Sequence, residues 1–105
     1  MPELKPNPTL KDYQSYVVEL EKERGFAEQD VIEKCLMLGE EVGELFKAVR
    51  KACNIKIDRN SDITSVSEEL ADVFIFVCSI ANKFDIDLEQ AFREKEEINK
   101  TRIWE

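Results

Sequence analysis

Four carboxylates at two matched spacings are the residues of this chain best placed to do chemistry. Glu40-Glu41-Val42-Gly43-Glu44 reads E-E-x-x-E, and Glu69-Leu70-Ala71-Asp72 reads E-x-x-D. Residues three apart share a helix face, so Glu41 points with Glu44 and Glu69 points with Asp72. Like charges at that spacing destabilise a helix by roughly 0.2–0.5 kcal/mol even in solvent. A solvated acidic face therefore usually carries basic residues three or four positions away. Glu41 has Met37, Leu38, Glu44 and Leu45 there; Glu69 has Ser65, Val66, Asp72 and Val73; Asp72 has Glu68, Glu69, Ile75 and Phe76. Of the four, only Glu44 has a basic neighbour, Lys47.

Asp72 also opens an apolar run, Val73 to Cys78. Burying an unpaired carboxylate is costly unless its pKa shifts or a cation compensates. A hard divalent cation resolves the conflict. Mg²⁺ takes oxygen ligands in near-octahedral geometry and keeps waters and substrate phosphates in its shell. Two such pairs on antiparallel helices can surround one or two ions, with Mn²⁺ as a possible substitute. The plainer reading is an acidic face in water. With 23 acidic residues in the chain, E-E-x-x-E alone would carry little weight. The joint pattern carries more. Glu40 stays open among three roles: orienting a ligand, acting as base, or sitting in solvent.

Complementary charge lies near the C-terminus. Lys95 has Ala91, Phe92, Ile98 and Asn99 as helical neighbours, so no local acid neutralises it. Lys95, Asn99 and Arg102 fall on one stripe at i, i+4 and i+7. They can meet phosphate oxygens as a point charge, an amide donor and a guanidinium fork. The alternative is a polar boundary face paired with acids of another helix. Trp104, the single tryptophan, either stacks on a base or closes the end of the bundle, and packing is the simpler role.

Composition narrows the classes. The chain has 105 residues, enough for one domain with one modest core. Net charge is −8, and such a surface repels a phosphate backbone, so a nucleic-acid polymer is not an expected partner. A small phosphorylated ligand would need a cation as bridge. There is no histidine, which removes Ser-His and Cys-His schemes and His-containing metal sites. Cys35, Cys53 and Cys78 are odd in number and form no C-x-x-C, so neither a disulfide framework nor a zinc site is expected. Each reads as a small core hydrophobe. The N-terminus has no apolar signal region, and no apolar run is long enough to span a bilayer. A reduced, cytoplasmic location is the default expectation.

Four helices must position these residues. Residues 1–8 hold all three prolines and read as an irregular arm ahead of a single domain over 9–105. Thr9, with Asp12 three positions on, caps a first helix that runs to about Arg24, where Gly25 ends it. A second helix spans about Glu28 to about Cys53, with Val31, Cys35, Leu38, Val42, Leu45, Val49 and Ala52 as its apolar stripe. Residues 54–64 read as a polar loop. Ser65 with Glu68 caps a third helix to about Lys83, apolar nearly all round and so expected to be the most buried. Asp87 with Gln90 caps a fourth, to about Lys100. Short connections imply an all-α, antiparallel four-helix bundle. The second and third helices carry more apolar surface than such a bundle covers, so dimerisation is expected to complete it.

In that order, GEEVGEL (39–45), EELADVFIF (68–76) and FREKEEINKTRIW (92–104) resemble the MazG-like members of the all-α NTP pyrophosphohydrolase superfamily. LKDYQSYVVELEKERGF (10–26) is similar to that family's first helix. The likeness spans about residues 9–104; each motif is short, and their ordered combination is specific. One departure is Ala71, where many members have glycine; it leaves the ligand positions untouched. The resemblance implies a homodimer or homotetramer and Mg²⁺-dependent hydrolysis of an NTP or dNTP between its α and β phosphates. The products are a monophosphate and pyrophosphate. It implies Glu41, Glu44, Glu69 and Asp72 as metal ligands, and Lys95 and Asn99 as phosphate contacts, with Arg102 less securely placed. Glu40 or Glu41 would accept the proton of the attacking water. House-cleaning of nucleotide pools is one role such an activity fits. Two rivals stand beside this reading: an acidic helical interaction module without enzymatic activity, and an inactive homologue that binds nucleotide and metal.

Overall fold

A computed structural model of the chain describes residues 2–54 and 65–103. It contains α1 (Leu10–Arg24), α2 (Val31–Ala52), α3 (Val66–Lys83) and α4 (Leu88–Asn99). Among the described residues there is no strand, and the chain is all-α as its periodicity implies. Each helix starts on a short polar side chain. Thr9 Oγ1 accepts the Asp12 N–H at 3.2 Å and Asp12 Oδ2 accepts the Thr9 N–H at 2.8 Å, a complete capping box. That bond from the Thr9 backbone, with the Lys5 ammonium 3.1 Å away, holds the Asp12 carboxyl below its ordinary pKa. Asp30, Ser65 and Asp87 accept the N–H groups of Glu33, Glu68 and Gln90 in the same manner.

The start of α2 differs from the sequence reading, which placed it near Glu28. Gly25 takes the left-handed conformation, φ 79°, and turns the chain off α1. The Phe26 N–H then bonds back to the Glu21 carbonyl at 2.8 Å. The chain enters α2 only at Val31, where Asp30 supplies the cap. The polar connection expected at 54–64 lies, from residue 55 on, outside the described residues.

Both α1 and α2 pack on α3, and α4 lies against α1. Val17 and Leu20 of α1 meet Cys78 of α3, with Tyr13, Tyr16, Phe74, Ile75 and Leu88 around them. The Tyr13 and Phe74 rings meet edge to face, centroids 5.4 Å apart. A buried amide fixes the far end. Gln14 Nε2 donates to Asn82 Oδ1 (3.2 Å) and to the Ile86 carbonyl (2.7 Å), and its Oε1 accepts the Leu88 N–H (2.9 Å). One side chain of α1 thus ties down the end of α3, the turn after it and the start of α4.

Burial is less complete than the sequence suggests. In α3, residues 73–77 are half-buried. Only Cys78 of the three cysteines is a core residue, where burial pushes its thiol up to about 11. Cys35 and Cys53 are exposed. The cause is that α2 is covered on the side facing α3 and little elsewhere. Leu38, Val42 and Leu45 are half-buried while Val49 and Ala52 stand in solvent. A second apolar line along α2, Ile32, Leu36 and Phe46 (64% exposed), is open, as is Phe92 (68%) on α4. The radius of gyration is 16.3 Å, against about 13 Å for a compact domain of this length.

Gly25 gives a direct check of the α1–α2 turn. No atom would obstruct a Cβ there, so the strain of a substitution comes from φ alone. Gly25→Ala is expected to destabilise the fold by about 1 kcal/mol, read from the midpoint of urea unfolding.

Candidate active site

Glu41 faces α3 from the middle of α2. Across the seam stand Glu69 and Asp72, one turn apart. One carboxylate oxygen from each of the three lies within 4.8 Å of the others. Glu69 is buried, at 4% exposure, and Glu41 is half-buried. Asp72 is exposed, so the burden of burial falls on Glu69 rather than on the aspartate that opens the apolar run. The reason is register: the face of α3 that meets α2 carries Glu69, and Asp72 stands at the open edge of the seam.

The crowding shows in the protonation of the group. Burial raises the Glu41 pKa first, then a hydrogen bond with Glu69, then the negative charges of Asp72, Glu69 and Glu44. Asp72 is raised by partial desolvation at the edge of the seam and then by the charges of Glu69 and Glu68. A carboxyl–carboxylate hydrogen bond needs a shared proton, so the group retains one more readily than isolated carboxylates do. A divalent cation can take the place of that proton. The donors are oxygens alone, and neither histidine nor cysteine joins them, which fits a hard ion.

The other expected site residues do not join this group directly. Glu44 is one turn further along α2; its carboxylate lies 3.7 Å from Lys47 and its charge reaches Glu41. Glu40 is exposed. On α4, Lys95 and Arg102 are exposed, and Asn99 Nδ2 donates to Glu96 Oε1 at 3.2 Å. That stripe continues the line of Leu88 and Ala91, the half-buried residues near the start of α4. Among the described residues, none of the three bonds to Glu41, Glu44, Glu69 or Asp72. Trp104 lies outside the described residues.

The sequence reading missed a second feature of the seam. A cavity of about 130 Å³ opens beside Asp72 between α1, α2 and α3, walled by Phe26, Met37, Ile75 and Phe76. Glu21, Arg24, Gln29, Lys34 and Ser79 also line it. Lys34 is 1% exposed. Its Nζ donates to Glu21 Oε2 and makes a long contact, 3.5 Å, with the Phe26 carbonyl. Ser79 Oγ donates to the same Glu21 oxygen at 3.0 Å. The sequence does hold a signal for it: Lys34 interrupts the apolar stripe of α2 between Val31 and Leu38.

The chain is thus all-helical, with an acidic cluster between two long helices and a slot of mixed polar and apolar lining beside it. The profile of the MazG nucleotide pyrophosphohydrolase domain matches residues 29–102, and the chain belongs to that family of hydrolases. No curated protein matches it. Among solved structures it is similar to iMazG from Vibrio DAT 722, at 33% identity over 89% of this chain and 99% of that one, with a TM-score of 0.68. A second form of iMazG gives 31% identity, 92% and 99% coverage and a TM-score of 0.67. It is also similar to a MazG-like pyrophosphohydrolase of cyanophage S-2L bound to dGDP and three catalytic Mn²⁺ ions per active site. There the identity is 25% over 96% of this chain and 87% of that one, with a TM-score of 0.71. Among the described residues, no helix is long and apolar enough to cross a membrane.

The raised carboxyls set the pH response of the metal-free protein. A group whose folded pKa lies above its unfolded value contributes stability that is fully present below the unfolded pKa. That stability is lost as pH rises through the folded pKa. Glu41 and Asp72 are such groups, so at neutral pH their repulsion opposes folding. Added Mg²⁺ or Mn²⁺ is expected to raise the melting temperature more at about pH 7.5 than at about pH 4.5, where protons compete better for the raised Glu41 and Asp72 carboxyls. Thermal melts with metal and with chelator at both pH values check this. An equal gain at the two would contradict it.

Proposed function

We propose that this protein hydrolyses nucleoside or deoxynucleoside triphosphates between the α and β phosphates, releasing a monophosphate and pyrophosphate, with Mg²⁺ as cofactor and Mn²⁺ able to replace it. The observation that carries the reading is the convergence of Glu41, Glu69 and Asp72 on one point of the α2–α3 seam. Membership of a nucleotide pyrophosphohydrolase family and likeness to a structure holding dGDP and Mn²⁺ support it.

Bound ions would neutralise the triphosphate and supply a water of lowered pKa. Glu41, Glu69 and Asp72 hold them, with Glu44 as the fourth ligand once it turns from Lys47. Glu41 stands in the cluster and Glu40 faces solvent, so we assign the proton acceptor to Glu41 and a supporting role to Glu40. Lys95 and Asn99 meet phosphate oxygens, Lys95 stabilising charge on the departing pyrophosphate, and Arg102 adds a guanidinium fork. The slot beside Asp72 receives the nucleoside. The exposed apolar lines of α2 and α4 are covered by further copies of the chain, giving a homodimer or homotetramer; the large radius of gyration of the single chain supports this. Free, exposed Cys35 and Cys53 suit a reducing cytoplasm. Removal of unwanted nucleotides from the pool is a role this activity fits.

Product analysis tests the reading. A panel of NTPs and dNTPs is expected to give monophosphate and pyrophosphate with Mg²⁺ and nothing with chelator. Glu41→Gln and Asp72→Asn are each expected to lower turnover by at least about a hundredfold while keeping the helical circular-dichroism signal. Near-wild-type turnover in both would sink the carboxylate mechanism. Binding without hydrolysis in the wild type would mark an inactive homologue.

A further inference from the structure

We infer that the buried Glu21–Lys34–Ser79 network selects nucleotides whose base presents a lactam edge, a keto oxygen beside a ring N–H, over those with the amidine edge of adenine or cytosine; this rests on the reading of the slot as a nucleoside site. The network joins one residue from each of α1, α2 and α3. As a stabilising device it is poorly chosen. Apolar side chains of similar volume often pack at least as well as a buried ion pair, because desolvation offsets the attraction. Its place suggests another use. Lys34 precedes Glu41 by seven residues and Ser79 follows Asp72 by seven, so both stand about 10 Å along the seam from the carboxylates. That is the length of a sugar and a base measured from an α phosphate held at the cluster.

Arg24 and Gln29 also line the cavity, and the Glu21–Lys34 pair is the part of its wall buried between the helices; the hydrogen-bonding capacity that this pair has left over points to the base. Lys34 Nζ and Ser79 Oγ both donate to Glu21 Oε2. Glu21 Oε1 accepts no hydrogen bond among the described residues and belongs to a side chain that lines the cavity. The ammonium has three N–H groups, one on Glu21 and one in the long contact with Phe26. The cavity therefore offers a carboxylate acceptor directly beside an ammonium donor. The matching edge places an N–H opposite the carboxylate and a carbonyl oxygen opposite the ammonium. Guanine, hypoxanthine, uracil and thymine carry such an edge. Adenine and cytosine present a bare ring nitrogen where the lactam has its N–H, and an amino group where it has its oxygen. Seated in the same pose, they set nitrogen lone pair against carboxylate and N–H against ammonium, and each mismatch leaves a polar group of the network without its partner. Phe26 and Phe76 contact the ring by its faces and are indifferent to the edge.

ITP and ATP are the sharpest pair, because they differ only in that edge. We would measure kcat/KM with Mg²⁺ for ITP, GTP and UTP against ATP and CTP. Equilibrium binding of the same nucleotides would be measured with Ca²⁺, which takes the same oxygen ligands. Wild type is expected to favour ITP over ATP by about tenfold or more in both measurements. Lys34→Met is expected to bring the ratio close to one. The double variant Lys34→Met/Glu21→Gln, which leaves no unmatched buried charge, should do the same. A ratio taken on one preparation does not change with the fraction folded, so a purely structural role for the network would leave it unmoved. ATP used as well as ITP by the wild type, or a ratio unchanged in both variants, would overturn the inference. Selective binding without hydrolysis would uphold it and refute the proposed reaction. Hydrolysis without selectivity would do the reverse, and neither binding nor hydrolysis would refute both.

Discussion

Glu41, Glu69 and Asp72 bring carboxylate oxygens within 4.8 Å of one another, and without a cation their repulsion opposes the pairing of α2 with α3. Much of the fold can be understood from what holds that pairing closed. Ala48 is buried on the α2 side, and Leu38 and Leu45 are half-buried. Further along the same face of α2, Lys34 bonds to Glu21, which Ser79 of α3 also reaches. The acids therefore sit on two long helices fixed beyond the cluster, not on loops. A cluster carried in this way is preorganised: its three carboxylates converge on rigid elements.

The outer helices are attached with less apolar burial and more specific hydrogen bonding. Gln14 joins α1 to the end of α3 and to the first residue of α4. Beyond that latch α4 buries none of its residues. The stripe of Lys95, Asn99 and Arg102 runs along it, apart from the carboxylates within one chain. Under the proposed function, the triphosphate is what draws these two charges together. The uncovered apolar lines of α2 and α4 fit a chain that completes its packing with further copies of itself.

The sequence made the chemistry of the carboxylates more legible than their burial. Spacing alone put Glu69 with Asp72 and aligned Glu41 with Glu44, because a helix fixes which residues share a face. It could not say which acid would be covered, since that depends on how α3 is rotated against α2; Glu69 is covered and Asp72 is not. The caps at Thr9, Ser65 and Asp87 were readable because each acts within one turn. The start of α2 lies later than the Glu28 of the sequence reading because Asp30 caps the helix at Val31, the first residue of its apolar stripe. Cys35 and Cys53 have apolar neighbours in sequence and are exposed all the same: Cys35 stands off the side of α2 that packs on α3, and Cys53 caps the end of the helix. The Lys34 network joins residues as far as 58 positions apart, Glu21 to Ser79, and no local pattern announces such a contact.

The most direct test of the central claim is to see the ion. Crystals soaked in Mn²⁺ and measured at the manganese absorption edge should show anomalous density between Glu41, Glu69 and Asp72, and Asp72→Asn crystals treated alike should lose or weaken it. Manganese found only elsewhere in the wild type, or undiminished density in the variant, would contradict the account and leave the three carboxylates as a structural crowding with no ion to relieve it.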